Sequence, residues 1–267
     1  MTALAKGKLH TIHTQKRRVD FWVPDAATAP YPVLLMHDGQ NLFQPENSFG
    51  GKTWRVAEAI SELAEFEGRL PVVIGPWNSG VTRAAEYAPQ DVLELINEPY
   101  EFVGAQVETP LLGNQYQQEL IEEIIPAVGN EISLTSKRRE IAIAGSSMGG
   151  LASLYAVAKN PDFYGTAISL STHFSMASIN FAEKLAAMMP SASHGNRLWL
   201  DHGTTELDAT YAKHHDAAIS KLHELGYKHP QLESHIYPGT GHNENDWSLR
   251  LKSILHWWLT AALSEGK

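Results

Sequence analysis

The sequence predicts an α/β protein with a mostly parallel central sheet and helices on both faces. Short continuous apolar runs such as Val33-Leu34-Leu35-Met36 alternate with stretches of helical periodicity. Strands buried on both faces read as such unbroken runs, and a helix between two of them supplies the right-handed crossover that parallel pairing needs. No internal repeat and no linker interrupts the 267 residues. A single domain over 1–267 is therefore expected, with a cap or excursion at about 77–118, where Pro, Asn and Glu are frequent and periodicity is weak.

The elements follow in order. Arg18 to Val23 alternates and stops at Pro24, so it reads as a strand, and Val33 to Met36 is the first buried one. Trp54 to Phe66 places apolar residues at helical spacing and ends before Gly68. Pro71 to Ile74 is a strand closed by Gly75-Pro76, Glu119 to Val128 a helix, and Glu140 to Ala144 a strand. Leu151 to Lys159 then reads as a helix, and Thr166 to Leu170 and Arg197 to Leu200 as strands. Ala209 to Leu225 is a helix ending at Gly226, Leu232 to Tyr237 the last strand, and Trp247 to Leu263 a closing amphipathic helix.

Composition narrows the function. Hydrophobic residues make up 43% and charged residues 19%, which excludes a disordered chain. A formal charge of −9 and a pI near 5.8 offer no attraction for nucleic-acid phosphates or anionic lipid. The run Lys16-Arg17-Arg18 is too short to reverse that and is expected at a solvated strand edge. With no cysteine, thiolate metal sites and a cysteine nucleophile are excluded. The first ten residues lack the apolar core of a secretory signal and no window is apolar for the ~18 residues a membrane span needs, so a cytoplasmic protein is expected.

On such a sheet, chemistry belongs at the carboxyl ends of the strands. Gly145-Ser146-Ser147-Met148-Gly149 lies directly between the strand Glu140–Ala144 and the helix near Leu151. In that context G-x-S-x-G is a nucleophile elbow: the strained serine is exposed at a tight turn, glycines avoid clashes, and the helix N-terminus faces the developing anion. Ser147 is the expected nucleophile, and the central position of the motif excludes Ser146.

A serine hydroxyl needs a base, and the base an orienting carboxylate, in the chain order Ser, acid, His. Of 13 histidines, His242 follows the last strand in the Gly-rich loop Pro238 to Glu244 and is the expected base. After Arg197–Leu200, the loop Asp201 to Asp208 offers Glu206 and Asp208 as the acid, and either could instead serve the start of the Ala209 helix. The oxyanion hole calls for the Met148 N–H and a second N–H from the loop His37 to Phe43, where Gln40 beside Gly39 is the candidate. His37 and Asp38 are expected to shape that loop rather than react.

The segments Met36-His37-Asp38-Gly39-Gln40-Asn41-Leu42-Phe43, Ala144 to Leu151, and Gly241-His242-Asn243-Glu244 before Trp247 together resemble the "putative esterase" family of α/β-hydrolases, related to esterase D, feruloyl esterases and enterochelin esterase. The resemblance implies the α/β-hydrolase fold and a serine hydrolase acting on small-molecule esters, with Ser147 as nucleophile and His242 as base. One group of the family carries Gly-Thr and then Leu-Asp at the acid loop, which favours Asp208. Other members place the acid where Glu206 stands here. The family also contains acyltransferases, which share every residue named, and a non-catalytic binding protein is the reading from a different class.

No cofactor and no metal is expected. Gly50-Gly51-Lys52-Thr53 looks like the end of a P-loop, but Glu46 stands where its first glycine belongs and no strand precedes it. His10 and His13 lack a carboxylate partner and are expected on a strand face. Trp257-Trp258 is expected to pack, and Arg83 with Glu86-Tyr87 either to contact substrate or to form a structural ion pair within the excursion.

Overall fold

The computed structural model of the protein describes residues 1–100 and 110–264. Among them the strands are β1 (Thr2–Leu4), β2 (Gly7–His13), β3 (Arg18–Pro24), β4 (Val33–Met36), β5 (Val72–Pro76), β6 (Ile141–Ser146), β7 (Thr166–Leu170), β8 (Arg197–Gly203) and β9 (Leu232–Tyr237). The helices are α1 (Val56–Ser61), α2 (Arg83–Tyr87), α3 (Gln90–Ile96), α4 (Gly113–Glu119), α5 (Ile125–Gly129), α6 (Met148–Lys159), α7 (Ile179–Ala187), α8 (Ala212–Glu224) and α9 (Glu244–Leu263). They fall into two compact units interleaved along the chain. The first is Met1–Asn78, Glu119–Ala142 and Asn243–Lys267; the second is Ser79–Gln118 and Ile143–His242.

In the first unit β1, β2 and β3 form an antiparallel meander, β3 pairs antiparallel with β5, and β5 pairs parallel with β4. The meander is an antiparallel part of the mostly parallel sheet expected, since its strands need only tight turns and not crossovers. β2 alternates buried and open positions, and His10 stacks on Phe21 of β3 at 4.8 Å, as a strand-face histidine should. Arg17 departs from the expected solvated edge. It is buried, with Nε donating to Glu119 Oε1 at 2.6 Å, Nη2 to Oε2 at 2.8 Å and Nη1 to the Trp77 carbonyl at 3.2 Å. A buried guanidinium requires such a filled fork, and nothing near Arg17 in sequence announces a partner that arrives at Glu119.

The expected helix Trp54–Phe66 is shorter, consisting of α1 and a single 3-10 turn at Ala64–Phe66. α9 begins at Glu244, three residues before the periodicity starts, because the Asn243 side chain accepts the Asp246 N–H at 3.2 Å and caps it. Its Leu251, Ile254, Leu255, Trp258 and Leu259 are buried at spacings of three and four, and Trp247 stacks on Trp54 at 5.3 Å.

In the second unit β7, β8 and β9 run parallel in that order. α6 is buried from Met148 to Val157, which is why its sequence is apolar nearly all round. It packs on β7 closely enough that a Cβ on Gly150 would lie 2.5 Å from Ser169 Oγ. The expected excursion at 77–118 contains α2, α3 and most of α4, and its residues 101–109 lie outside the described ones. The helix expected from Ala209 starts instead at Ala212, because Glu206–Thr210 form a 3-10 turn whose side chains are used elsewhere. Among the described residues no helix is long and apolar enough to cross a membrane.

A buried histidine pair in this unit has a consequence for acid stability. His202 and His215 meet edge to face at 4.8 Å, His202 Nδ1 donates to the Gly203 carbonyl at 2.6 Å, and His215 Nε2 bonds Ser234 Oγ at 2.8 Å. Burial, and then the charge of His202, lowers the His215 pKa from 6.5 to about 3. The folded pKa lies below the unfolded one, so this stabilising contribution is complete above pH 6.5 and is lost as pH falls toward 3. By pH 4.5 the loss is roughly 3 kcal/mol. Thermal unfolding followed from pH 7 to 4.5 is expected to show a fall in Tm of several degrees, and His215→Gln should flatten it. An unchanged slope in that variant would rule out His215 as a source.

Candidate active site

β6 ends at Ser146, α6 begins at Met148, and Ser147 alone makes the turn between them with φ 57° and ψ −125°. That conformation costs an L-residue about 1–3 kcal/mol and persists only where its surroundings enforce it. They do so here. The Ser147 N–H donates to the Leu170 carbonyl at the end of β7 (3.0 Å), and its own carbonyl accepts from Gly150 (3.1 Å) and His173 (3.3 Å). A Cβ on Gly145 would stand 2.8 Å from the Gly149 carbonyl, so the glycine flanking the serine is a steric requirement. Met148, as the first residue of α6, has an N–H with no partner inside its helix.

Asp208 and His242 are brought together. Asp208 is 1% exposed, and its Oδ1 lies 2.6 Å from His242 Nδ1. Its Oδ2 accepts from Ser171 Oγ at 2.5 Å and from the Gly203 N–H at 2.6 Å. Burial alone would raise the carboxyl pKa, but the bonds from His242, Ser171 and Gly203 outweigh it and hold Asp208 below the usual carboxylate value. Glu206, the other candidate, does a different job. Its Oε2 accepts the backbone N–H of His242 at 2.7 Å, and it lies so close to Gly241 that a Cβ there would meet Oε2 at 2.5 Å. One carboxylate grips the imidazole and the other the loop that carries it.

Gln40 belongs to the first unit, in the 3-10 turn Gly39–Asn41 after β4. Its Oε1 accepts from the Asn78 N–H at 3.2 Å, and Asp38, at φ 57°, accepts from Asn78 Nδ2 at 2.6 Å. Gly39 is needed because a Cβ would fall 2.1 Å from the Gly75 carbonyl on β5. Asp38 therefore shapes the loop.

Three neighbours of the site were not read from the sequence. Ser171, at φ 43°, holds Asp208. His173 bonds the Tyr211 hydroxyl through Nδ1 at 2.6 Å, and the Tyr211 ring meets the His242 imidazole edge on at 5.8 Å. Ser171 and His173 lie just beyond the carboxyl end of β7, a position that could have flagged them. Nothing local marks Tyr211. Elsewhere, Gly50-Gly51-Lys52-Thr53 forms a turn that passes into extended chain at Lys52 rather than into a helix N-terminus. Arg83 lies over the Tyr87 ring at 4.8 Å, and buried Glu86 accepts from the Thr82 hydroxyl at 3.2 Å. Among the described residues no group of three or more His, Asp or Glu could hold a metal ion.

The chain matches the family described as "Putative esterase" over residues 11–258, and it belongs to that family. It is similar to the "Uncharacterized protein YbbA" of Bacillus subtilis (strain 168), with 22% identity over 261 residues, 94% of this chain and 96% of that protein. Among solved structures it is similar to enterochelin esterase from Shigella flexneri, with a TM-score of 0.67 and 18% identity over 96% of this chain and 59% of that one. It is also similar to the enterobactin and salmochelin hydrolase IroE (TM-score 0.63, 17% identity, 93% and 94% of the two chains). A ferulic acid esterase aligns with a TM-score of 0.61 at 14% identity over 97% and 98%. The chain thus spans about three fifths of the length of the enterochelin esterase, and these likenesses are of fold.

Proposed function

We propose that the protein is a serine carboxylic ester hydrolase acting through an acyl-enzyme, with Ser147 as nucleophile, His242 as base and Asp208 as the residue that orients the base. The observation that carries the reading is the 2.6 Å bond from His242 Nδ1 to a buried Asp208 carboxylate, in the same unit as a serine held at a strained strand-to-helix turn. Family membership points the same way.

In this mechanism His242, holding a proton on Nδ1 for Asp208, takes the Ser147 proton on Nε2 as Oγ attacks the ester carbonyl. The carbonyl carbon becomes tetrahedral, and the Met148 N–H at the start of α6 stabilises its oxyanion. Gln40 is carried as the second donor on sequence grounds alone. His242 then gives the proton to the leaving alcohol, water enters, and the same base activates it to release the acid and restore Ser147. The substrates are small-molecule esters.

DFP is a phosphorylating reagent for activated serines, and IroE has been solved in complex with it. A fluorophosphonate probe is accordingly expected to label this protein once, on the peptide containing Ser147, as read by mass spectrometry. A protein that stays unlabelled while its fold is intact, or one labelled elsewhere, overturns the reading.

A further inference from the structure

The segment that follows β7 is bonded both to the nucleophile and to the acid. The Leu170 carbonyl accepts the Ser147 N–H at 3.0 Å, and the His173 N–H donates to the Ser147 carbonyl at 3.3 Å. Leu170 and His173 thus grip the strained turn by its own peptide groups. Between them in sequence, Ser171 reaches the acid instead. Its hydroxyl donates to Asp208 Oδ2 at 2.5 Å, and its backbone N–H donates to Asp201 Oδ1 at 3.2 Å. Asp201 is a firm anchor: it is buried on β8, opposite Leu170 in the β7–β8 register, and its Oδ2 accepts from Trp199 Nε1 at 2.9 Å.

Ser171 is fully buried and stands at φ 43°, a backbone conformation that favours glycine. A serine there keeps a hydroxyl at a position where glycine would relieve the strain, and such an outlier points to a use for the side chain. Burial opposes the charge of Asp208, but the bonds from His242, Ser171 and Gly203 hold its carboxyl below the usual carboxylate range. An ionised carboxylate only accepts, so the Ser171 proton points at it. With the Gly203 N–H also on Oδ2, at 2.6 Å, the carboxylate is kept from swinging, and Oδ1 is left for His242 Nδ1 at 2.6 Å. A single donor would leave the group an axis to turn about; two donors fix its plane.

We infer that Ser171 is a positioning residue whose hydroxyl ties the Asp208–His242 pair to the segment Leu170–His173 that grips Ser147. This rests on the esterase reading and deepens it. General-base catalysis needs the serine and the imidazole at hydrogen-bond distance, and a misplacement of about 1 Å can cost about 10²-fold in rate. The elbow and the acid belong to different loops, and the segment after β7 is bonded to both, so it sets how they stand to one another. Ser171 adds no chemical step: it transfers no proton in this account and, being fully buried, meets no substrate.

Ser171→Ala removes the hydroxyl and keeps the strained backbone, whereas Ser171→Gly removes it and relieves the strain. With an aryl ester, kcat is expected to fall about 10- to 100-fold in both, the range for losing a group that orients a functional side chain. KM should stay within about twofold, because the hydroxyl binds no ground-state substrate. The second-order rate of fluorophosphonate labelling should fall in parallel. In the proton NMR spectrum, the low-field resonance of the His242 Nδ1–H that faces Asp208 should shift or broaden in both variants. The glycine variant carries the test if Ser171→Ala does not fold. A folded Ser171→Gly protein with wild-type kcat, with an unmoved resonance, or with a change in KM alone overturns the inference, since position 171 would then serve only the turn. Wild-type protein labelled at Ser147 alongside such a result would leave the esterase reading standing. Absence of labelling in the wild type would remove both.

Discussion

Ser147→Ala is expected to cut ester hydrolysis by a factor on the order of 10³ or more in kcat while leaving the protein folded. The strain at φ 57° is borne by the contacts of the elbow backbone with Leu170, Gly150 and His173, and alanine keeps all of them. What it loses is the one oxygen that can attack. His242→Ala should fall by a similar factor, because a nucleophile without a base and a base without a nucleophile are equally idle. The double variant should be little worse than either single one, since triad members act as a unit. Initial rates on a soluble aryl ester, with Tm measured alongside, check all three. Hydrolysis near the wild-type rate in Ser147→Ala would sink the assignment of the nucleophile.

Parts of this architecture were legible in the sequence for a physical reason. Strands buried on both faces are continuous apolar runs, and Val33–Met36 and Thr166–Leu170 fall on β4 and β7 with the bounds that pattern predicts. The short helices α2 and α3 were not legible, since five to seven residues do not establish a period of 3.6. α7 is amphipathic, but its nine residues span only two and a half turns. The N-terminal strand β1 has no buried position, so its sequence carries no alternation. At the candidate site the elbow and the His242 loop were visible because their chemistry demands local glycines. Ser171, His173 and Tyr211 were not, because what places them together is the meeting of a loop after β7 with a turn after β8, a matter of sheet order rather than spacing.

The shortening of α8 and the choice between two acids have a single cause. The residues Glu206 to Asp208 could have opened the helix as its N-terminal charges. Instead both side chains reach toward the loop after β9, and the helix proper starts only at Ala212. Glu206 pays a local strain to do so, at φ 54°, a conformation uncommon for a residue with a long side chain. That strain at a non-glycine position is itself a sign that the loop carrying His242 is held on purpose.

Asp208→Asn should be the more damaging of the two acid substitutions, by a margin of orders of magnitude. Ser171 Oγ and the Gly203 N–H both donate to Oδ2, so an asparagine at 208 must turn its carbonyl oxygen toward those two donors. Its amide nitrogen is then forced toward His242 Nδ1, and the imidazole can bond it only by accepting. The proton moves to Nε2, which is the nitrogen that has to take the proton of Ser147. The wrong tautomer costs about 10⁴ in kcat in serine proteases, and a loss of that order is expected here. Glu206→Gln, by contrast, keeps an oxygen to accept the His242 backbone N–H and leaves the tautomer untouched, so its rate should stay within a few-fold of wild type. The comparison is of kcat for the two variants at pH 7 to 8, with Tm measured to exclude unfolding. An Asp208→Asn enzyme within tenfold of wild type, or a Glu206→Gln enzyme slower than it, would move the orienting role away from Asp208 while leaving Ser147 and His242 in place.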